Sequence, residues 1–249
     1  MPTPEWNRRW VDEYHEQQGS KMDYYGAHWG DPDPALAFPS RLRKLLPEAL
    51  MAGLLTIKPL RDALNARRRD KTTYQPPLYT VLTRYVRPYI RPDVTVLEIG
   101  PGGGRWTKYM LHAKHLTLVE LNTEFFDYLR NRFAAQLSKL RFYQTRDYEL
   151  EGVESSSIDF GFSFGVFVHI DPEGIQAYLA ELARVVKSGG HIVIQYADKT
   201  KEGGRERTGF SDMTPAKMEG FVAALPALEI LKHDTTLLNH SSVIILRKR

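Results

Sequence analysis

Cysteine is absent from the 249 residues, which excludes disulfides, thiolate metal sites and a cysteine nucleophile and agrees with a reducing compartment. Long apolar runs are scarce as well. The stretch "LLPEALMAGLLTI" (Leu45 to Ile57) is broken by Pro47 and Glu48 and falls short of the ~20 residues that cross a bilayer. The opening segment "MPTPEWNRRWVDEYHEQQ" lacks the apolar centre of a secretion signal. The expectation is therefore a cytoplasmic chain. Charge of one sign is scarce only in bulk, because the net charge of +4 is modest. Between Arg41 and Lys71, however, nine Lys or Arg face three acids, leaving +6. That segment could meet an anionic group on a small molecule, an anionic membrane surface or nucleic acid, or form the solvated face of an amphipathic helix.

A hydrophobic fraction of 42% and a charged fraction of 26% are those of a folded domain, and the length suits one α/β core with an addition. From Val94 onward short apolar runs alternate with segments of helical period. The runs are "VTVLEI" (94 to 99), "LTLVEL" (116 to 121), "LRFYQT" (140 to 145), "IDFGFSF" (158 to 164) and "HIVIQYA" (191 to 197). Between them "RWTKYMLHA", "TEFFDYLRNRFAAQL" and "GIQAYLAELARVVKS" repeat apolar residues every three or four positions, which is the pattern of a sheet covered by helices. The last two runs, 228 to 236 and 241 to 249, have no helix between them and so must pair antiparallel. Upstream, Trp6, Trp10 and Tyr14 recur at four-residue spacing, which predicts a helix with an aromatic stripe and offers a surface for a homodimer. "PPLYTVLTRYVRPYI" (76 to 90) opens on prolines suited to a helix start.

The chemistry concentrates in "VLEIGPGGGRWT" (96 to 107), where Gly100, Gly102, Gly103 and Gly104 follow the first strand. Glycines there let a ligand approach bare backbone, and a helix beginning near Arg105 would add unpaired N–H groups. The Gly-Lys-Ser/Thr of a phosphate loop is missing, and "GPGGGR" does not match the dinucleotide pattern G-x-G-x-x-G. Glu98, two residues before the first glycine, would repel a pyrophosphate and attract a cation. Glu120 closes the second strand, where a carboxylate can accept hydrogen bonds from both hydroxyls of a ribose. A ligand with a ribose and a cationic end satisfies both acids.

With these segments in view, "VLEIGPGGG", "LTLVELN", "SIDFGFSFGVFVHID" and "LARVVKSGGHIVIQYAD" resemble the successive motifs of class I S-adenosylmethionine-dependent methyltransferases, over roughly Gln75 to the C-terminus. The resemblance implies a Rossmann-like α/β fold, a seven-stranded mostly parallel sheet with an antiparallel C-terminal hairpin. It makes residues 74–249 the methyltransferase core and residues 1–73 a helical N-terminal extension or lid. It implies S-adenosyl-L-methionine as cofactor and S-adenosyl-L-homocysteine as product. Gly100, Gly102 and Gly104 would lie beneath the methionine and ribose, Glu98 would hold the methionine amino group, and Glu120 the ribose. Asp147 would meet the adenine amino group, with Tyr148 beside the ring, although "QTRDYEL" fits that motif in more than one register. Ser163, Phe164 and Gly165 would line the adenosine and the transfer site.

His169 in "FVHID" is the candidate general base, just past the fourth strand at the carboxyl edge where such sheets bind ligands. Asp171 could orient it, or both residues could cap or pack. Tyr25, Trp29 and Tyr196 are candidate acceptor contacts. Asp198 either caps the segment after the fifth strand or joins His169 around a metal, and no paired acid or Asp-Asn follows that strand to support a metal. The expected acceptor is a small molecule, anionic in one reading, with oxygen favoured over nitrogen: a sugar, a glycolipid or a secondary-metabolite intermediate. No "NPPY" or "DPPY" segment receives a base amino group, so nucleic acid is disfavoured. An RNA methyltransferase remains the alternative because of the basic segment, and a non-catalytic scaffold or a nicotinamide oxidoreductase are the readings from other classes.

Overall fold

The computed structural model describes residues 30–66 and 74–249. They divide into two compact units, one of residues 30–66 with 74–88 and one of residues 89–249.

The first unit is helical. Asp33 accepts the Ala35 N–H at 2.8 Å and caps a 3-10 turn at Pro34–Ala37. Helices α1 (Ser40–Arg43), α2 (Glu48–Leu54) and α3 (Lys58–Ala66) follow. The prolines at Pro76 and Pro77 start α4 (Pro76–Val81), whose turns widen to a π-type segment at Leu82–Val86. The period 76–90 is thus helical in three styles rather than one, with a 3-10 turn at Arg87–Tyr89 as Pro88 removes a donor. Ala37, Phe38, Met51, Leu55 and Tyr74 form a small apolar cluster. Arg87 grips Glu48 with both terminal nitrogens, at 2.6 and 3.1 Å.

The second unit is built on a seven-stranded sheet in the order β3-β2-β1-β4-β5-β7-β6. The strands are β1 (Thr95–Ile99), β2 (His115–Glu120), β3 (Leu140–Gln144), β4 (Ile158–Ser163), β5 (Val186–Ala197), β6 (Leu228–Asp234) and β7 (Ser241–Lys248). β1 to β5 pair in parallel, whereas β7 runs antiparallel to both β5 and β6. This is the expected Rossmann-like sheet with its closing hairpin. The intervening helices are α5 (Thr107–Met110), α6 (Glu124–Arg132), α7 (Pro172–Val185), α8 (Glu202–Arg205) and α9 (Pro215–Ala223).

Two boundaries differ from the sequence pattern. The helical period after Asp171 predicts a helix through Ser188, but α7 stops at Val185 and Val186 pairs with Ile158 of β4. Two successive β-branched residues favour the ladder there. The predicted helix at Arg105 is reduced to the single turn α5, because Gly104 at φ +78° cannot continue a right-handed helix. The Asp171 end of α7 is better encoded: the Asp171 carboxylate accepts the Gly174 N–H at 2.7 Å and Pro172 opens the helix. Ile175, Tyr178, Leu179, Leu182 and Val185 then bury one stripe against a core that includes Leu97 and Ile99 of β1 and Ile192 and Ile194 of β5.

β1 pairs with β2 on one side and β4 on the other, so the chain switches direction across the sheet between β1 and β4. At such a switch the loops leaving the carboxyl ends diverge and open a crevice. Glu98, the glycine turn, Glu120 and the segment after Ser163 all lie at that edge.

Candidate active site

The glycine turn is shaped by packing as much as by any ligand. Gly100, Gly102 and Gly104 have φ of +71°, +49° and +78°, in the region that favours glycine. A Cβ on Gly100 would overlap Cγ2 of Val166, and one on Gly104 would stand 2.6 Å from Cε2 of Phe133. Gly100→Ala is expected to destabilise the fold by about 2–3 kcal/mol, combining a strained φ with overpacking. An unchanged denaturant midpoint would contradict this geometry.

Glu120 holds the turn from the next strand. Its Oε2 accepts the Gly102 N–H at 3.1 Å, and its Oε1 accepts the N–H groups of Leu121 and Asn122 at 2.9 and 3.2 Å. Burial nevertheless pushes its carboxyl above the ordinary range, against the pull of those three donors. Glu98 is 2% exposed and accepts the Thr107 hydroxyl at 2.6 Å. Burial is the main cause that pushes Glu98 up to about 8; the Thr107 hydrogen bond and Arg105 oppose it, while the neighbouring Glu120 charge adds to it. Two buried acids so close together are poorly compensated by the chain alone. A cationic, hydroxyl-bearing ligand would relieve both, and a pyrophosphate would worsen both. The indole Nε1 of Trp106, at the end of the glycine turn, is a buried donor without an acceptor, a further polar group that a ligand could satisfy.

The segment after β4 forms the opposite wall. Ser163 donates its hydroxyl to the Ile99 carbonyl at 3.0 Å and so ties the ends of β1 and β4 together. Phe164 packs on Trp106 with ring centres 4.9 Å apart, and the Arg105 guanidinium lies 5.6 Å from each of those rings. Gly165 has φ +85° and open space where a Cβ would stand. Its N–H donates to the buried Gln195 side chain at 2.7 Å, which links β4 to β5. On the β3 side, the Asp147 side chain is exposed and its carbonyl accepts from the Thr145 hydroxyl. Tyr148 donates its hydroxyl to Asp171 at 3.0 Å and packs edge-on to Tyr178.

His169 sits in the turn between β4 and α7 with its Nδ1 3.1 Å from the Gly209 carbonyl. A carbonyl can only accept, so in neutral His169 the proton resides on Nδ1 and Nε2 carries the lone pair. Burial is the main cause that lowers His169 to about 4, and the ring is therefore neutral throughout the physiological range. The Asp171 carboxylate accepts from Tyr148 and caps α7. Phe210 stands edge-on to both His169 and His240, at 5.2 and 5.5 Å between ring centres, and carries the Arg207 guanidinium 5.5 Å from its own centre. The sequence gives no local signal for this group, since its members come from three separate segments.

Two other expectations are revised. Tyr196 is fully buried and shares a 2.5 Å hydrogen bond with Nε2 of His233, whose Nδ1 meets Glu219 at 2.8 Å. Its side chain belongs to the packing between β5 and β6, which removes it from the acceptor contacts. Asp198 is fully buried and accepts from the Thr200 backbone and hydroxyl at 3.0 and 2.6 Å and from Ser242 at 2.6 Å. That is the capping alternative. Among the described residues no group of three or more His, Asp or Glu side chains could hold a metal. Tyr25 and Trp29, like the aromatic stripe of Trp6, Trp10 and Tyr14, lie outside the described residues.

Comparisons with known proteins agree with this fold. The structure is similar to a magnesium protoporphyrin IX methyltransferase from Synechocystis PCC 6803 with bound S-adenosylhomocysteine, at 14% identity over 69% of this chain and 81% of that one, with a TM-score of 0.56. It is similar to an S-adenosylmethionine-dependent methyltransferase from Mesorhizobium loti at 10% identity, covering 69% and 98% of the two chains, with a TM-score of 0.58. A TehB-like methyltransferase from Corynebacterium glutamicum matches at 16% identity over 68% and 87%, with a TM-score of 0.52. Among curated proteins no sequence matches. Such identities show the fold alone, but residues 96–190 also match the family model of a methyltransferase domain. That match takes in the glycine turn and both buried acids, so residues 96–190 form a methyltransferase domain, within a fold like that of S-adenosylmethionine-dependent methyltransferases.

Proposed function

We propose that this methyltransferase acts on a small molecule, with a hydroxyl as the favoured acceptor and an amine as the alternative, on a sugar, a glycolipid or a secondary-metabolite intermediate in the cytoplasm. Bound S-adenosylmethionine supplies an activated methyl group on a positively charged sulfur. The chain's tasks are then to hold donor and acceptor in line, to exclude water and to receive a proton. Glu98 and Glu120 would hold the amino and ribose groups of the donor, and Asp147 and Tyr148 would flank its adenine. The glycine turn, Ser163, Phe164 and Gly165 would complete the cradle.

The observation that carries the hydroxyl reading is the state of His169. A hydroxyl must lose its proton as it attacks, which calls for a base within reach. His169 has its Nδ1–H fixed on the Gly209 carbonyl, so its Nε2 is the accepting nitrogen, and burial keeps it unprotonated down to about 4. His169→Asn is expected to lower kcat about 100-fold while leaving the affinity for S-adenosylhomocysteine within twofold. Because the base does not titrate near pH 6.5, the acid limb of kcat should lie well below that pH. Near-normal turnover in the variant would remove His169 from the mechanism and favour an amine acceptor, which arrives already able to attack once unprotonated.

A further inference from the structure

The segment that the cofactor site does not absorb is the basic, leucine-rich stretch of the first unit. Of the eight large apolar side chains exposed among the described residues, five fall within residues 42–60. They are Leu42, Leu45, Leu50, Ile57 and Leu60, with Leu45 at 75% and Ile57 at 53% the most open. Leu46, Leu54 and Leu64 are the side chains that turn inward onto the cluster of Phe38, Met51 and Leu55. Among the described residues the stretch thus carries more large apolar side chains than that cluster covers.

Helix α3 shows the imbalance most clearly. Ile57, just before it, and Leu60 and Leu64 within it follow the three- and four-residue spacing of one helical face, of which Leu64 packs on the local cluster while Ile57 and Leu60 stay exposed beside Arg61. The helix is strongly amphipathic, yet none of its residues is buried. Leu42 and Leu45 repeat the arrangement one turn apart, since the Leu45 N–H donates to the Leu42 carbonyl at 3.0 Å. Isolated exposed leucines need no explanation, but a run of them on consecutive short helices marks a surface that something covers.

The charges beside them decide what. Arg41, Lys44 and Lys58 are exposed within the same stretch, whereas its carboxylates are already engaged: Glu48 with Arg87, and Asp62 with Lys58 at 2.6 Å. The latter is an exposed pair between residues 76% and 49% accessible, weak enough to exchange for another anion. The exposed apolar side chains here are aliphatic. A single-stranded nucleic acid would be met by exposed rings on which bases stack, and the centre of a protein interface is enriched in aromatics and depleted in lysine. Aliphatic side chains next to Lys and Arg fit a third partner, the headgroup boundary of a bilayer, where long cationic side chains reach the phosphates while the leucines enter the acyl region. None of the described helices is long and apolar enough to cross the membrane, so the contact is with its surface.

We propose that residues 41–61 dock this protein on the surface of anionic phospholipid bilayers. The inference stands on the first unit alone and does not depend on which acceptor the enzyme methylates. The test is flotation of the full-length protein with vesicles of phosphatidylcholine, alone or with phosphatidylglycerol mixed in. Binding is expected only to the mixed vesicles and is expected to weaken with added salt. Both Leu45→Glu/Ile57→Glu and Arg41→Glu/Lys44→Glu should weaken it at least about tenfold, with S-adenosylhomocysteine binding unchanged in each as the control for folding. Absence of the protein from anionic vesicles would overturn the proposal. So would binding that survives the apolar variant, which would indicate a polyanion site of the kind RNA uses, or a dimer in solution that Leu45→Glu dissociates, which would make a second copy the occupant.

Discussion

Glu120→Ala is expected to lower the affinity for S-adenosylhomocysteine by about 100-fold or more, the largest loss of any single substitution considered. The Glu120 carboxylate joins an observed role to a proposed one. It accepts three backbone N–H groups that fix the glycine turn and the start of the β2–α6 connection, and it is the acid proposed to hold the ribose. Removing it leaves buried donors unpaired at about 1–3 kcal/mol each and removes a charge-assisted contact to the ligand. Glu120→Gln separates the two. An amide oxygen can still accept from Gly102, so the fold should hold while affinity falls by less. Equal binding by wild type and Glu120→Ala in calorimetry would show that the ribose is held elsewhere.

The second large effect is on pH. Burial holds Glu98 at about 8 in the ligand-free protein, so near pH 7 it carries a proton. A ligand bearing an ammonium group favours the carboxylate and must displace that proton. Binding therefore releases a proton below pH 8, and the affinity should rise roughly tenfold per pH unit towards 8 and level off above it. The sign follows from the direction of the shift: a carboxyl raised in the free state and lowered in the complex binds its ligand better as protons are withdrawn. Glu98→Gln abolishes the slope, because it cannot ionise. A flat profile in the wild type would mean that Glu98 is not the group facing the charge.

These two acids were legible because strand-end positions are fixed by local pattern. An apolar run of five or six residues that stops at a carboxylate and a glycine places its own end, and the sheet then brings the ends together. Thus β1 and β2 end at Ile99 and Glu120, within a residue of where the runs end. The closing hairpin was legible for the same reason, with two runs and too few residues between them for a crossover. What the sequence hid depends on contacts across many residues. Gly209 orients His169 from 40 positions away, and Gln195 reaches Gly165 from 30. Tyr196 shares its strand with residues at the ligand edge, and only the position of His233 on β6 shows that its hydroxyl is spent inside the sheet. The short α5 was hidden differently: periodicity marks "RWTKYMLHA" as helical, but the backbone sign at Gly104 delays the helix to Thr107.

The central claim, that the turn after β1 holds an adenosyl donor through two buried acids, is tested most directly by calorimetric titration of the purified protein with S-adenosylhomocysteine and with NADH at about pH 7, in buffers of differing ionisation enthalpy. The account predicts binding of S-adenosylhomocysteine alone, with a heat that varies with the buffer because Glu98 gives up its proton. Binding of NADH, or no binding of S-adenosylhomocysteine by the folded protein, would contradict it.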